Sequence, residues 1–377
     1  MTGIRFLHTS DLHLGKPYGR FGEEVAADLR QARADIIPAL IGVAEAEGVE
    51  HILLAGDTFD QETPSPRLIR QTITAMSEAE HLNWWIIPGN HDSLTADLIW
   101  QTFAEHASKN VHVLCDDAPV AITEGAFLLP APCPRRAPGY DMTAAMMHKD
   151  TPKGALRIGL AHGGVVDFRP DEPSAETIPP DRAERANLDY LALGDWHGAL
   201  EITSRTHYSG APERDRFKHT GRGTCLLVSL DTSVNDPEVV KIPMGKYDWQ
   251  EMEMPLSPGL DAVSHLMELL PDDGSKWRNT LVKLRLQGYV HLDQRLALME
   301  QLRKIAPEFC HFEWHDTQLH TEYQPDDLDQ IARGGALRIA AEALKEEAND
   351  SDLARSDRDI ADAALARLYS LVKEAVQ

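Results

Sequence analysis

Five times in the first half of the chain an apolar run ends in a short polar loop that carries aspartate, histidine or asparagine beside glycine. "IRFLHTS" leads into "SDLHLG" (Asp11, His13), and "HILLAG" into "GDTFD" (Asp57, Asp60). "NWWIIPGN" leads into "GNHD" (Asn90, His91, Asp92), the run near 157–162 into "AHGG" (His162), and "LALG" into "GDWHG" (Asp195, His197). Short apolar runs closed by turn residues read as buried strands. In layered α/β folds, sites gather at the loops where such strands end. A single Asp-x-His is weak evidence, because a strand-end aspartate or buried histidine is usually structural. Five ligand-bearing strand ends in succession are a different matter and point to one metal site assembled from the whole N-terminal half.

Between these runs the spacing is helical over 23–47, with a bend expected near Pro38, and over 66–81. From about 111 the texture changes to short strands, with candidates at 111–114, 126–131, 157–162 and 189–193. A hairpin is expected across 224–243 around "DTSVNDP". Segments 133–154 and 167–187, rich in proline and charge, read as long surface loops with some helix. The expectation is an α/β fold in which a second sheet packs on the first as a helix–sheet–sheet–helix sandwich, over 1–245. The pattern then resets. "TLVKLRLQGYV" and "FCHFEWHDTQLH" read as strands around a helix at 293–305, which makes 246–325 a small α/β cap. Two amphipathic helices, at about 326–347 and 357–375, form a helical tail over 326–377.

The net charge of −23 argues against binding nucleic acid by bulk charge and leaves room only for a local basic groove. Cys115, Cys133, Cys225 and Cys310 are scattered with no CxxC pair, as free thiols of a reducing cytosol would be. "MTGIRFLHTSDLH" has no signal-peptide pattern, and no apolar stretch approaches the ~20 residues that span a bilayer, so no membrane association is expected. The expected location is the cytoplasm.

The set "DLH … GDTFD … GNHD … HG … GDWH" resembles the calcineurin-like metallophosphoesterases, and within them the Mre11/SbcD-type DNA-repair nucleases. "LPAP" at 129–132 and "YSGAPER" at 208–214 are similar to that branch as well. The resemblance covers roughly 4–245, and the cap and tail match only in layout. It implies the metallophosphoesterase sandwich and two divalent metal ions. Asp11, His13 and His197 would hold the first, Asn90, His162 and Asp195 the second, and Asp57 would bridge them. Carboxylates, imidazoles and one neutral amide oxygen suit dications. Two such ions ~3.5–4 Å apart can deprotonate a water and clamp phosphate oxygens. The resemblance also makes His91 the catalyst that is not a ligand, stabilising the transition state or protonating the leaving oxygen. Asp60 is expected either to accept a hydrogen bond from the His91 ring or to cap its loop. Asp92 has an adequate explanation as the N-cap of a helix beginning "DSLTADL".

The chain departs from the family at Asp195, where the usual pattern is Gly-His-x-His. Three ionised aspartates and a bridging hydroxide would neutralise two dications, whereas a histidine would leave one positive charge. The site is therefore expected to be less electrophilic and to favour Mn²⁺; alternatively, Asp195 only turns the loop and the second ion binds weakly. Trp196 either stacks on a substrate base or covers the loop from behind. The segment "SRTHYSGAPERDRFKHTGRG" at 204–223 carries Arg205, Arg214, Arg216, Lys218 and Arg222 with only two acids, and reads either as a phosphate-tracking rim or as a solvated basic loop. Lys16 and Arg20 could form the opposite rim, with Arg135 and Arg136 a weaker choice. The expected reaction is metal-dependent cleavage of DNA, single-stranded or frayed, as endonuclease, exonuclease or both. A small or cyclic-nucleotide phosphodiesterase and a scaffold subunit are the alternatives. The resemblance further implies a coiled-coil ATPase or other repair partner at C-terminal helices such as "RDIADAALARLYSLVKEAV", and dimerisation is common in the branch.

Overall fold

The computed structural model describes residues 3–165, 176–322 and 335–376. The chain divides into two compact units, Met1–Trp249 and Gln250–Gln377.

In chain order the strands of the first unit are β1 (Gly3–Thr9), β2 (His51–Ala55), β3 (Asn83–Ile87), β4 (Val111–Val113), β5 (Val120–Thr123), β6 (Ala126–Ala131), β7 (Leu156–His162), β8 (Tyr190–Gly194), β9 (Leu200–Thr203), β10 (Thr206–Tyr208), β11 (Thr224–Asp231) and β12 (Glu238–Pro243). They form two six-stranded sheets, ordered β12-β11-β1-β2-β3-β4 and β5-β6-β7-β8-β10-β9. β1 to β4 run parallel, as do β6, β7, β8 and β10.

The strands are apolar throughout because both of their faces are covered. Helix α1 (Glu23–Ala34) follows β1, and Leu7, Ile52, Leu54, Trp84 and Ile86 face the next three helices, α2 (Ile36–Glu47), α3 (Pro66–Glu78) and α4 (Asp97–His106), chiefly through Leu40, Ile73 and Phe103. The alternate residues Phe6, Leu53, Ala55 and Ile87 meet Leu128, Ile158, Leu160 and Ala192 of the second sheet. The outer face of that sheet, Leu129, Ala161, Leu191 and Leu193, is covered by Met146 of a 3₁₀ turn and by Ala183 of the short helix α5 (Arg182–Arg185). This is the expected helix–sheet–sheet–helix order, with a thin fourth layer.

Three details differ from expectation. Strand 111–113 and hairpin 224–243 belong to the first sheet rather than the second. β11 alternates Cys225 and Leu227 toward the helices with Leu226 and Val228 toward the second sheet, so it needs both coverings. The 23–47 helix is broken at Asp35, not bent at Pro38. A proline ring clashes with the carbonyl four residues earlier, which here is that of Ala34. Of the loop expected over 167–187, residues 166–175 lie outside the described residues.

His8 makes polar contacts across the two sheets. His8 on β1 receives the Tyr190 hydroxyl proton at Nδ1 (3.0 Å) and donates from Nε2 to the Leu193 carbonyl (3.1 Å). Burial, and then the neighbouring His207, push the His8 ring down to about 3, so it stays neutral when folded. Between about pH 6.5 and pH 3 the unfolded chain therefore binds a proton that the folded chain refuses, and this term weakens the fold as pH falls. In metal-free protein, the stability lost between pH 7.5 and pH 5 is expected to be about 2 kcal/mol greater for the natural chain than for His8→Gln. Urea titrations at the two pH values measure it.

In the second unit β13 (Asp248–Leu256), β14 (Thr280–His291) and β15 (His311–Glu322) form a sheet in that order, with helices α6 (Ala262–Leu269) and α7 (Leu292–Ile305). β14 and β15 are parallel, and α7 makes the crossover such a pair requires. Two further helices follow, α8 (Ala336–Asn349) and α9 (Arg355–Val376). The start of the helix expected from 326 lies outside the described residues. Leu365 and Tyr369 of α9 pack with Ala341 and Leu292, so part of the tail's apolar stripe is used within its own unit. No described helix is long and apolar enough to cross a membrane.

Candidate metal centre

Parallel neighbours end at one edge, and the loops leaving β1 and β2 are zipped together there. Asp11 N donates to Gly56 O, His13 N to Asp57 O, Leu14 N to Thr58 O and Asp60 N to Leu14 O, at 2.9–3.1 Å. Asp11, His13 and Asp57 take positive φ (56°, 43° and 56°), and Asp195 takes φ 100°. Such backbone is uncommon outside glycine and concentrates at functional sites. Two glycines are dictated by close approach. A Cβ on Gly89 would lie 2.1 Å from Asp57 Oδ1, and one on Gly194 would lie 2.0 Å from Ala55 O and 2.7 Å from His162 Nδ1.

All seven expected ligand side chains meet at this edge. His13 and His197 bring their Nε2 atoms within 3.3 Å of each other, with Asp11 Oδ1 at 3.8 and 3.9 Å. Asp57 Oδ2 lies 3.4 Å from His162 Nε2 and 3.6 Å from His13 Nε2, between the two halves of the site. Asp195 Oδ1 is 3.9 Å from His162 Nε2 and receives the Asn90 amide at 3.2 Å, while its backbone N–H donates to Asp11. Asp11, His13 and His197 form one group able to hold a metal ion, and Asp11, Asp57 and His162 another.

The donor set fits divalent cations. The Asn90 Oδ1 and His162 Nε2 atoms are buried with no hydrogen-bond partner, an arrangement that is costly unless a ligand completes it. His162 Nδ1 donates to Ala55 O (2.8 Å), which turns Nε2 into the centre. Burial alone would lower the His162 ring, yet the Asp57 carboxylate outweighs it and holds the ring well above its ordinary value. Burial, reinforced by Asp11 and Asp57 against His162, pushes Asp195 up. The Asp11, Asp57 and Asp195 carboxylates give this centre negative charge that a bound cation would balance.

Several residues do other work than expected. The Asp60 carboxylate lies near the His91 ring but is not its hydrogen-bond partner. It lies 3.3 Å from His13 Nδ1, off the ring's N–H axis, and receives Lys16 Nζ at 3.2 Å. His91 Nδ1 instead donates to the Asp60 backbone carbonyl (2.8 Å), and the His91 N–H donates to Asp57 Oδ1 (2.9 Å). Asp92 caps no helix, since α4 begins at Asp97 after Ala96. Its buried carboxyl, pushed up to about 7 by burial and then by the Asp57 charge, accepts the N–H groups of Gly89 (2.7 Å) and Phe59 (3.0 Å) and ties two ligand loops together.

The two acids of the basic segment are structural centres. Asp215 is buried against His197 Nδ1 (3.1 Å), Lys16 and Arg216. Glu213 accepts the backbone N–H groups of Lys246 and Tyr247. Arg33, on α1 and fully buried, donates to Leu12 O, Glu213 O and Arg214 O and so locks the first ligand loop to this segment. The clue to Asp215 is an acid set among arginines just after a ligand loop. Nothing local marks Arg33.

The expected rim is largely spent on these contacts. Arg214 is buried and donates to His197 O. Arg216 pairs with Asp215 and reaches the His197 ring. Arg222 donates to Gly245 O and Met244 O, and Arg20 lies over Phe21, Phe217 and Trp249. Arg205 precedes β10, level with the start of β8, and so sits at the edge opposite the ligands; it contacts Asn235 and Asp236. Arg135 donates to Pro138 O. Lys218 lies over the Trp196 ring, 4.4 Å from its centroid. Arg136 is exposed and lines a cavity of about 450 Å³ with Asp60, Gln61, Glu62 and His91.

The sequence pattern of the calcineurin-like phosphoesterases matches residues 4–219, more than half of the chain. The chain belongs to that family. Calcineurin-like phosphoesterases are hydrolases of phosphoester bonds that use a binuclear divalent metal site. Among relatives, an uncharacterized metallophosphoesterase of Bacillus subtilis, YhaO, is 25% identical over 311 residues, 76% of this chain and 72% of its own. The SbcD component of the SbcCD nuclease of the same organism is 25% identical over 359 residues, 82% of this chain and 85% of its own. A DNA double-strand break repair protein Mre11 of Methanosarcina mazei is 27% identical over 236 residues, 60% of this chain and 36% of its own.

Proposed function

We propose that this phosphoesterase hydrolyses DNA phosphodiester bonds with water, as an endonuclease, an exonuclease or both. The observation that carries the reading is the convergence of Asp11, His13, Asp57, Asn90, His162, Asp195 and His197 beside His91, where strands of both sheets end. Asp11, His13 and His197 would hold one divalent cation and Asn90, His162 and Asp195 the other, with Asp57 shared. Such a pair supplies Lewis acidity toward phosphate oxygens and a lowered pKa for water. Because the Asp60 carbonyl occupies Nδ1 of His91, Nε2 is the working nitrogen. Protonated, it gives its proton to the leaving oxygen. Arg136, across the same cavity, offers its guanidinium to a phosphate of the strand.

DNA as substrate draws on the SbcCD nuclease and Mre11 relatives. A partner such as a coiled-coil ATPase would meet the C-terminal helices, where Ile339 and Ile360 stay exposed. A second reading, a phosphodiesterase for small or cyclic nucleotides, is favoured by the internal pairing of Arg214, Arg205, Arg222 and Lys16, which thins the basic rim.

One assay tests both readings. Purified protein is given several divalent metals with end-labelled single- and double-stranded DNA, a small diester and a monoester. Cleavage of DNA, best with Mn²⁺ and on single strands, is expected. The double variant Arg136→Ala/Lys218→Ala should lose DNA cleavage and keep the small diester. Equal loss on both substrates, or Zn²⁺ or Ni²⁺ far above Mn²⁺, contradicts the substrate and metal readings respectively.

A further inference from the structure

We propose that Lys16 is a positioning residue that sets His13 and His197 as a pair, acting through two carboxylates at once; this rests on reading those histidines as ligands of one cation. The two rings stack with centroids 4.9 Å apart and 28° between planes, Nε2 to Nε2 at 3.3 Å. A carboxylate stands beside the other nitrogen of each ring: His197 Nδ1 is hydrogen-bonded to Asp215 Oδ1 at 3.1 Å, and Asp60 Oδ1 lies 3.3 Å from His13 Nδ1, to the side of its N–H axis. Lys16 Nζ touches both acids, Asp60 Oδ1 at 3.2 Å and Asp215 Oδ2 at 3.1 Å. Its own backbone N–H turns back to His13 O (3.2 Å), so the ammonium is anchored in the ligand loop it steadies.

Two carboxylates that converge on one stacked pair of rings repel each other, and an ammonium with three donors lets them stand together. Arg216 shares Asp215, but Lys16 joins the two acids, which come from different loops. Carboxylates behind ligand histidines fix ring orientation, and their loss weakens metal binding by about 10–100-fold. His162, in the other half of the site, is oriented by Ala55 O instead, so Lys16 acts on one cation position only.

Simple electrostatics gives the opposite sign. A lysine beside a dication repels it, so its removal should tighten binding. The test is Mn²⁺ calorimetry without substrate, in two backgrounds. Asn90→Ala leaves the His13/His197 position to be measured, and His197→Ala leaves the other. Lys16→Met is expected to weaken Mn²⁺ about tenfold in the first background and by less than about twofold in the second. Lys16→Arg, still able to fork between two acids, should restore most of the affinity. Thermal unfolding of the metal-free proteins checks the fold. If Lys16→Met does not fold, Asp215→Asn carries the same test with the same one-sided loss expected. Unchanged or tighter binding in the first background, or equal weakening in both, overturns the proposal. A natural chain that binds two ions while Lys16→Met behaves identically overturns it alone. A natural chain that binds none overturns the ligand reading with it.

Discussion

Replacing Asp57 by alanine is expected to lower kcat/KM by at least about 10⁴-fold, equivalent to roughly 5.5 kcal/mol of transition-state stabilisation. No other side chain joins so many parts of the centre. Its Oδ2 stands between His162 and His13, and its Oδ1 receives the His91 N–H and abuts Gly89. Burial works against its charge, but His162 and His13 hold the carboxyl well below its usual range. The alanine removes the carboxylate that stands between His162 and His13 and leaves two imidazoles facing an uncharged gap. Bound metal should fall from two ions to at most one, measured by elemental analysis after gel filtration. Asp57→Asn keeps the acceptor for the His91 N–H and should fold normally while losing metal and activity together. That separates the missing charge from a collapsed loop. Full activity in either variant would mean that the hydrolysis comes from elsewhere.

His91→Ala should behave differently. It is expected to lower kcat by about 10²–10⁴-fold while both ions stay bound. The His91 ring makes edge contact with the His13 ring, with centroids 4.8 Å apart, and hydrogen-bonds the Asp60 carbonyl. A proton given from Nε2 matters most when the leaving oxygen is a poor leaving group, as a deoxyribose oxygen is. The variant should therefore be far less impaired on a small diester that releases a nitrophenolate. Equal losses on DNA and on the activated diester would remove the proton-donor role and leave His91 as an electrostatic contact to the phosphate.

The strands and their ligand loops are readable from the chain because the information is local. β2 and β8 are apolar on both faces, and each runs directly into its aspartate. The glycines beside the ligands are visible too, although only the packing explains them: Gly194 sits where a side chain would strike Ala55 of the other sheet. Strand partners are harder. Nothing within 224–243 says that β11 lies beside β1, because that choice depends on which residues cover each of its faces. The basic segment misleads for the same reason. Arg214 and Arg205 read as cations available to a phosphate, yet one is buried on His197 O and the other lies at the far edge of its sheet. Asp215 and Arg33 act on loops distant in sequence, so their roles follow from what they face. Asp60 stands out in its motif, but its direction does not. Its backbone serves His91 and its carboxylate serves His13, a division of labour that spacing alone does not reveal.

The most direct test of the two-cation centre is anomalous diffraction from crystals grown with Mn²⁺. Two peaks are expected, one among Asp11, His13 and His197 and one among Asn90, His162 and Asp195, with Asp57 between them and ligand distances near ~2.0–2.3 Å. A map with no peak at this edge, or with both ions bound away from Asp57, would contradict it.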